Sequence, residues 1–354
     1  MAKKKRIVFI VNPISGTSGK KFVLRLIEEY LDKTTYDYEI ARTEYVGHAT
    51  ELARAAAERG VDVACAIGGD GTVNEVASGL VHTSTALAII PSGSGNGLAR
   101  HLRIPIDPLS AIKILNAGII QTMDYGVVND RHFFCTCGVG FDAFISQKFA
   151  ESGKRGPISY LENVLTNGLK YHPETYEVDI EEDIDGGKTH EVYKAFLISC
   201  ANASQYGNNA YIAPKASVRD GIMDVTIIEP FTAIEAPLLA TQIFNGTIGR
   251  NSHVKTFKCK KLTIRRSTPG VVHYDGDPVE MGTQVDVQLI QGGLRCVSPL
   301  EEGVPAVEER VQDLLTEPFR NMYIKAEELI QENLRRSQRI TLLNKDIIRK
   351  LSGK

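Results

Sequence analysis

An α/β fold, doubly wound in its N-terminal part, antiparallel and β-sandwich-like in its middle part and extended by charged helix at its end, is what this chain of 354 residues predicts. Three observations carry the prediction. Between residues 6 and 128 short apolar runs alternate with stretches of helical spacing; from Arg131 strand-like runs dominate; after residue 300 the composition becomes strongly charged. The expected units are an α/β domain over residues 1–128, a β-rich domain over 129–300 and a helical extension over 301–354.

The first strand is Arg6-Ile7-Val8-Phe9-Ile10-Val11, a run apolar enough to be buried on both faces. Phe22, Val23, Leu26, Ile27 and Leu31 then keep helical spacing, and Tyr38 and Ile40 mark a second strand. A helix over Leu52-Ala53-Arg54-Ala55-Ala56-Ala57 begins near Gly47-His48. Val61-Asp62-Val63-Ala64-Cys65-Ala66-Ile67 is the third strand, residues 73–80 a short helix, and Ala86-Leu87-Ala88-Ile89-Ile90 the next strand. In the middle part the clearest strands are Phe196-Leu197-Ile198, Asp224-Val225-Thr226-Ile227-Ile228, Lys261-Leu262-Thr263-Ile264 and residues 284–290, with helical stretches around 158–169 and 233–244. Residues 301–318 are acidic and basic residues lead from Phe319, while Met322, Leu329, Ile330, Leu334, Ile340, Leu343, Ile347, Ile348 and Leu351 run at roughly helical spacing. Such a tail suits a helix docked on its own domain, a self-association helix that makes a homodimer, or a basic helix on a membrane surface.

A formal net charge of −2 gives no global electrostatic case for nucleic acid as a partner. The six cysteines lie mostly in apolar strand-like runs, which suits reduced, buried thiols of a cytoplasmic protein. Cys135 and Cys137, with His132 nearby, are not read as a metal cluster: strand alternation puts both thiols on one face, and no second ligand pair follows. The start, Met1-Ala2-Lys3-Lys4-Lys5-Arg6, imitates a signal-peptide n-region, but the apolar run behind it ends at Asn12-Pro13, so secretion is not expected. No apolar run approaches the length that spans a bilayer.

The chemistry gathers at strand ends. Gly68-Gly69-Asp70-Gly71-Thr72-Val73-Asn74-Glu75-Val76 joins the third strand to a helix, and a glycine-rich turn at a helix N-terminus is an anion site, because the backbone comes close and free N–H groups point outward. Asp70 would repel bare phosphate, which implies a magnesium ion, a ribose hydroxyl or a transferring hydroxyl beside it; the plain alternative is a tight turn with a solvated carboxylate. Asn12-Pro13-Ile14-Ser15-Gly16 follows the first strand, and Pro91-Ser92-Gly93-Ser94-Gly95-Asn96-Gly97 follows the strand at 86–90. In an open parallel sheet these carboxyl ends share the edge where ligands bind, so the three turns together look like a nucleotide cradle. Gly16-Thr17-Ser18-Gly19-Lys20 is not a Walker A loop, since only two residues separate its glycines and Lys21 follows the lysine. Further on, Asp275-Gly276-Asp277-Pro278 places two carboxylates one glycine apart; they can share a cleft, where repulsion raises one pKa toward a useful base, or simply form a β-turn.

These motifs, with Gly138-Val139-Gly140-Phe141-Asp142-Ala143 and Asp220-Gly221-Ile222-Met223-Asp224-Val225 in the same order, resemble the diacylglycerol kinase catalytic family, which includes bacterial lipid kinases, sphingosine kinases and ceramide kinases. The resemblance runs from about Arg6 to about Pro299. It implies an ATP-dependent kinase acting on a hydroxyl of a membrane lipid, with ATP and Mg2+ as cofactors and contact with the membrane from the cytoplasm. It assigns nucleotide contacts to Asn12, Pro13, Ile14, Ser15, Gly16, Thr43, Gly68, Gly69, Asp70, Gly71, Thr72, Val73, Asn74 and Ser94, the last of these often Thr in the family. It assigns proton acceptance to Asp277, where the family usually has Glu, which leaves the role open between Asp277 and Asp275. By the same resemblance the Asp220 side chain and backbone carbonyls at Ser217 and Ile222 hold magnesium, and the chain near 292–299 returns to the first domain. The glycine-serine turn leans toward sphingosine kinases and the motif spacing toward bacterial diacylglycerol kinases. Two other classes remain open: a NAD kinase, which shares Gly-Gly-Asp-Gly-Thr, and a lipid or nucleotide sensor without turnover.

Overall fold

In the computed structural model the described residues are 3–13, 19–152, 171–181, 187–232 and 234–305, and those up to Val304 cluster as one compact unit. The helical stretch expected around 158–169 and the tail beyond 305 lie outside them.

The parallel part of the sheet follows from runs that are apolar on both faces. Strands β1 (Lys5–Val11), β2 (Tyr36–Arg42), β3 (Val63–Gly68) and β4 (Ala86–Pro91) pair in parallel in the order β2-β1-β3-β4, and every residue of β3 and β4 is buried. The crossovers are α1 (Lys20–Tyr30), α2 (His48–Glu58) and α3 (Asp70–Leu80); α4 (Gly97–His101) and α5 (Pro108–Ala117) follow β4. Helices α2 and α3 pack on each other, as do α1 and α5, which is the doubly wound arrangement the alternation predicts.

Two elements differ from the sequence reading in ways that matter for the site. Helix α3 begins at Asp70, three residues before the expected start, because Gly69 is its extended N-cap and the packing of Thr72 against Gly68 holds the glycine-rich first turn helical despite its poor propensity. The strand expected over 284–290 continues as β16 (Gln284–Val297), with a register shift between Ile290 and Leu294, and reaches β4 in parallel pairing at Cys296 and Leu87. The chain thus does return to the first domain, as the resemblance implies. The same strand carries β5 (Ile120–Val128) antiparallel beside it, with β6 (Arg131–Phe133) on β5, and links onward to β13 (Lys261–Arg265), β8 (Glu174–Glu181) and β9 (Lys188–Ala195), so a single ten-stranded sheet runs through both halves.

A second, antiparallel sheet has the order β12-β11-β10-β7-β14-β15, built from β7 (Thr136–Gly140), β10 (Leu197–Ala201), β11 (Met223–Ile228), β12 (Val254–Cys259), β14 (Gly270–Tyr274) and β15 (Asp277–Met281). Val139, Ile198, Val225 and Ile227 from this sheet pack against Val178, Ile180, Leu262, Ile264, Val285 and Val287 of the other, which is the sandwich core. Two further helices, α6 (Phe141–Ser152) and α7 (Ala236–Asn245), flank it; α6 lies against β14 and β15.

Candidate active site

The carboxyl ends of β1, β3 and β4 do come together. Asn12 N donates to Ile67 O at 3.3 Å, Ser92 N to Gly68 O at 2.8 Å and Thr43 N to Val11 O at 2.9 Å, so the turns leave the sheet side by side. A Cβ on Gly69 would stand 3.1 Å from Gly93 Cα, and one on Gly93 only 2.4 Å from Gly69 Cα; the two turns touch through their glycines and no side chain fits between them. No side chain caps α3 at Gly69, which leaves its first N–H groups facing the edge. Asn12 Nδ2 reaches the Thr72 hydroxyl at 3.3 Å, and Ser94 is exposed at the rim. Ile14, Ser15 and Gly16 lie outside the described residues.

Two residues of the glycine motif also tie the cradle to its surroundings. The Asp70 carboxylate accepts hydrogen bonds from Asn96 N at 2.8 Å and Gly97 N at 2.6 Å, while Asn96, left-handed at φ 53°, closes its own turn through Gly93 N and O. Asp70 thus braces the loop after β4, and burial pushes its carboxyl above the ordinary value. Asn74 Nδ2 donates to Asp275 Oδ2 at 2.9 Å and to His132 O at 3.0 Å, which ties α3 to the hairpin carrying the two carboxylates.

That hairpin is where the turn reading and the cleft reading both hold. Asp275 and Gly276 are the central residues of a two-residue turn, at φ 48° and 90°, between paired Tyr274 and Asp277. Asp-Gly is the composition such a turn favours. Asp275 accepts from Asn74, from Phe134 N at 2.8 Å, Cys135 N at 2.7 Å and Thr136 N at 3.1 Å. Burial raises its pKa, opposed by these donors, and with two donors on each oxygen the carboxyl has no lone pair facing open space. Asp277 is exposed, and among the described residues no donor bonds its carboxylate. Loss of hydration in the cleft, then the charges of Asp275, Glu75 and Asp70, push it up to about 6, with His273 pulling the other way. Its Oδ2 lies 3.7 Å from where a Cβ of Gly71 would stand, over the first turn of α3.

Behind the hairpin, His273 Nε2 and Asp142 Oδ2 are 3.0 Å apart, both residues buried, and the Tyr206 hydroxyl donates to the same oxygen at 3.0 Å. His273 went unremarked in the sequence because it sits inside an apolar strand run. Glu75 was likewise seen only as part of the motif; its oxygens accept from Gly47 N at 2.9 Å and Ala49 N at 3.1 Å, so it caps α2.

At the expected magnesium ligands the Asp220 carboxylate is engaged by a lysine. Asp220 Oδ2 meets Lys258 Nζ at 2.8 Å, and the same ammonium is 3.1 Å from Asp224 Oδ2; Asp220 Oδ1 takes Ile222 N at 3.3 Å, and the Ser217 hydroxyl donates to Glu302. No group of three or more His, Cys, Asp or Glu side chains that could hold a metal ion occurs among the described residues. Lys258 thus bridges Asp220 and Asp224, and one ammonium against two carboxylates leaves a net negative charge at the place where the resemblance puts the ion.

Comparison with known proteins agrees with the geometry. A model of the diacylglycerol kinase catalytic domain matches residues 6–128, and a model of the YegS C-terminal NAD kinase beta sandwich-like domain matches residues 135–296. The diacylglycerol kinase of Bacillus subtilis (strain 168) is 28% identical over 278 residues, 77% of this chain and 90% of that protein. The diacylglycerol kinase of Staphylococcus saprophyticus is 29% identical over 281 residues, 78% of this chain and 90% of that one. A crystal structure of a diacylglycerol kinase from Bacillus anthracis shares the fold, with a TM-score of 0.62 at 23% identity over 85% of this chain and 99% of the other. With both domain models matched in order along one chain, over the same strands and turns that build the cleft, this chain belongs to the diacylglycerol kinase catalytic-domain family of kinases.

Proposed function

We propose that this protein transfers the γ-phosphate of ATP to a hydroxyl of a membrane lipid, diacylglycerol or a close relative, with Asp277 as the base. The observation that carries the proposal is the position of Asp277, unbonded and with a pKa near neutrality, over the phosphate-binding first turn of α3. The relatives named diacylglycerol kinase supply the substrate class. Magnesium arrives with ATP as part of the co-substrate and neutralises charge on the phosphates. The turns at Gly69, Gly71 and Gly93 hold the phosphate chain by backbone N–H groups. Asp277 takes the proton of the lipid hydroxyl as its oxygen bonds to the γ-phosphorus, and ADP leaves with the electrons of the broken bond. Asp275, saturated by four donors, fixes the hairpin rather than moving a proton.

No helix among the described residues is long and apolar enough to cross a membrane. In this reading the enzyme meets its lipid at the bilayer surface from the cytoplasmic side. The basic tail beyond Phe319, outside the described residues, is the stretch assigned to an anionic surface or to self-association as a homodimer. Deleting residues 318–354 is expected to spare turnover of detergent-dispersed lipid and to weaken vesicle binding or reduce oligomer size.

The deciding experiment incubates the protein with labelled ATP, magnesium and separate lipids, diacylglycerol, sphingosine and ceramide among them, with NAD as a further acceptor. Labelled phosphatidic acid is the expected product. A labelled sphingoid phosphate moves the assignment to another lipid, labelled dinucleotide moves it to NAD kinase, and no transfer with retained ATP binding makes the protein a sensor.

A further inference from the structure

The geometry points to Lys20 as the residue that recognises the terminal phosphates of the nucleotide by charge. This inference rests on the nucleotide reading above. Lys20 is the first residue of α1, half-buried, and its ammonium donates to the Ser92 hydroxyl. Ser92 is itself 4% exposed and immediately precedes Gly93, the glycine that touches Gly69 at the cap of α3. The head of Lys20 is therefore delivered to the wall of the phosphate cradle, between the turn that ends β4 and the turn that ends β3.

What distinguishes this lysine is burial without a counter-charge. Among the described residues no carboxylate pairs with it, whereas Lys188 and Lys255 are held above the ordinary lysine value by hydrogen bonds to Glu181 and Glu229. Lys20 moves the other way: loss of water around it brings its pKa down to about 8. Its setting is unfavourable in a second respect. A cation at the start of a helix opposes the macrodipole, and α1 has neither an acidic residue in its first turn nor a side-chain cap. The ammonium, bonded to a neutral hydroxyl, stands by the turn that meets the start of α3, whose one carboxylate, Asp70, is engaged by Asn96 N and Gly97 N. The anion that satisfies the ammonium is a polyphosphate carrying several charges, and the oxygens nearest a lysine at the Ser92 wall belong to the phosphate chain rather than to the nucleoside.

The test is calorimetric titration of MgATP, AMP and pyrophosphate into the full-length protein and its Lys20→Met, Lys20→Gln and Lys20→Arg variants, with thermal melting of each. Loss of one charge-assisted contact predicts that Lys20→Met and Lys20→Gln bind ATP about 10- to 100-fold more weakly. AMP affinity should change by less than about threefold, since AMP lacks the terminal phosphates, and Lys20→Arg should keep most of the ATP affinity. Melting of Lys20→Met should be unchanged or higher, because an uncompensated charge has been removed from a half-buried place. Equal losses for AMP and ATP, or unchanged ATP affinity in either neutral variant, overturn the inference. If the native protein binds no ATP, the kinase reading falls, and pyrophosphate alone decides Lys20: binding lost in Lys20→Met sustains it, and no binding by the native protein ends it.

Discussion

Replacing Asp277 by Asn should separate chemistry from both binding and stability. The side chain accepts no hydrogen bond and packs little, so the amide fits without displacing a neighbour. Turnover should fall by about two to four orders of magnitude, the usual contribution of a general base. Because the carboxyl is raised from 3.8 to about 6, the native enzyme is roughly ten-to-one ionised at pH 7. Its rate should climb about tenfold per pH unit below 6 and level off above, and this break should vanish in the variant. The stability effect has the opposite sign. A carboxyl whose pKa is raised on folding holds its proton more tightly in the native state, so the native state loses stability as pH rises from about 4 to about 6 and gains nothing further above. The full shift overstates this for an exposed side chain; screened by water it is worth about 1 kcal/mol. Asn carries no such cost, so the variant should melt at or slightly above the native temperature at pH 7 while having lost its activity. The assay is initial rate against pH with diacylglycerol in mixed micelles, alongside calorimetric melting and ATP titration. A variant within tenfold of native turnover, or a native profile without a break near pH 6, refutes the assignment of the base.

Three other substitutions probe the surroundings. Gly71→Asp puts a side chain beside Asp277 Oδ2 and a negative charge in the phosphate cradle; ATP binding should be lost in a folded protein, and unchanged affinity by titration would remove the cradle from the argument. Asp275→Asn turns an NH2 group toward donors, four of which now bond that carboxylate, and should destabilise the protein by on the order of 2–4 kcal/mol in denaturant melts, a loss that Asp277→Asn must not show. With Lys258 bridging Asp220 and Asp224, neither EDTA nor added magnesium should shift the native melting temperature; Lys258→Ala should cost no more than about 1 kcal/mol and become stabilised by magnesium, and an EDTA-sensitive native protein would mean that the ion sits there beside the lysine.

Elements whose signal is local were legible from the chain, and those whose signal is a partner were not. The runs that became β1, β3 and β4 are buried on both faces, so their apolar character alone placed them in a parallel sheet, and the glycines at their ends placed the cradle. Helix α5 carries an equally local signature, with Asp107 capping at Ser110 N, Pro108 at the first position and Gly118 left-handed at the end, yet its apolar residues lack a clear stripe and the signature went unused. The length of β16 could not be read, because Gly292 and Gly293 interrupt its alternation. The structure explains them: Gly292 stands at φ 63°, and a Cβ on Gly293 would meet the Tyr125 ring at 2.3 Å. The roles of Asp275 and Asp277 are the sharpest case. One glycine apart in sequence, they differ because antiparallel pairing brings the backbone of residues 134–136 and the amide of Asn74 to the first and leaves the second over Gly71. The partner Asn74 is 201 positions away. A motif can therefore announce that two carboxylates share a cleft, but which of them is consumed by structure and which is free for chemistry is decided by where the fold sends its spare backbone donors.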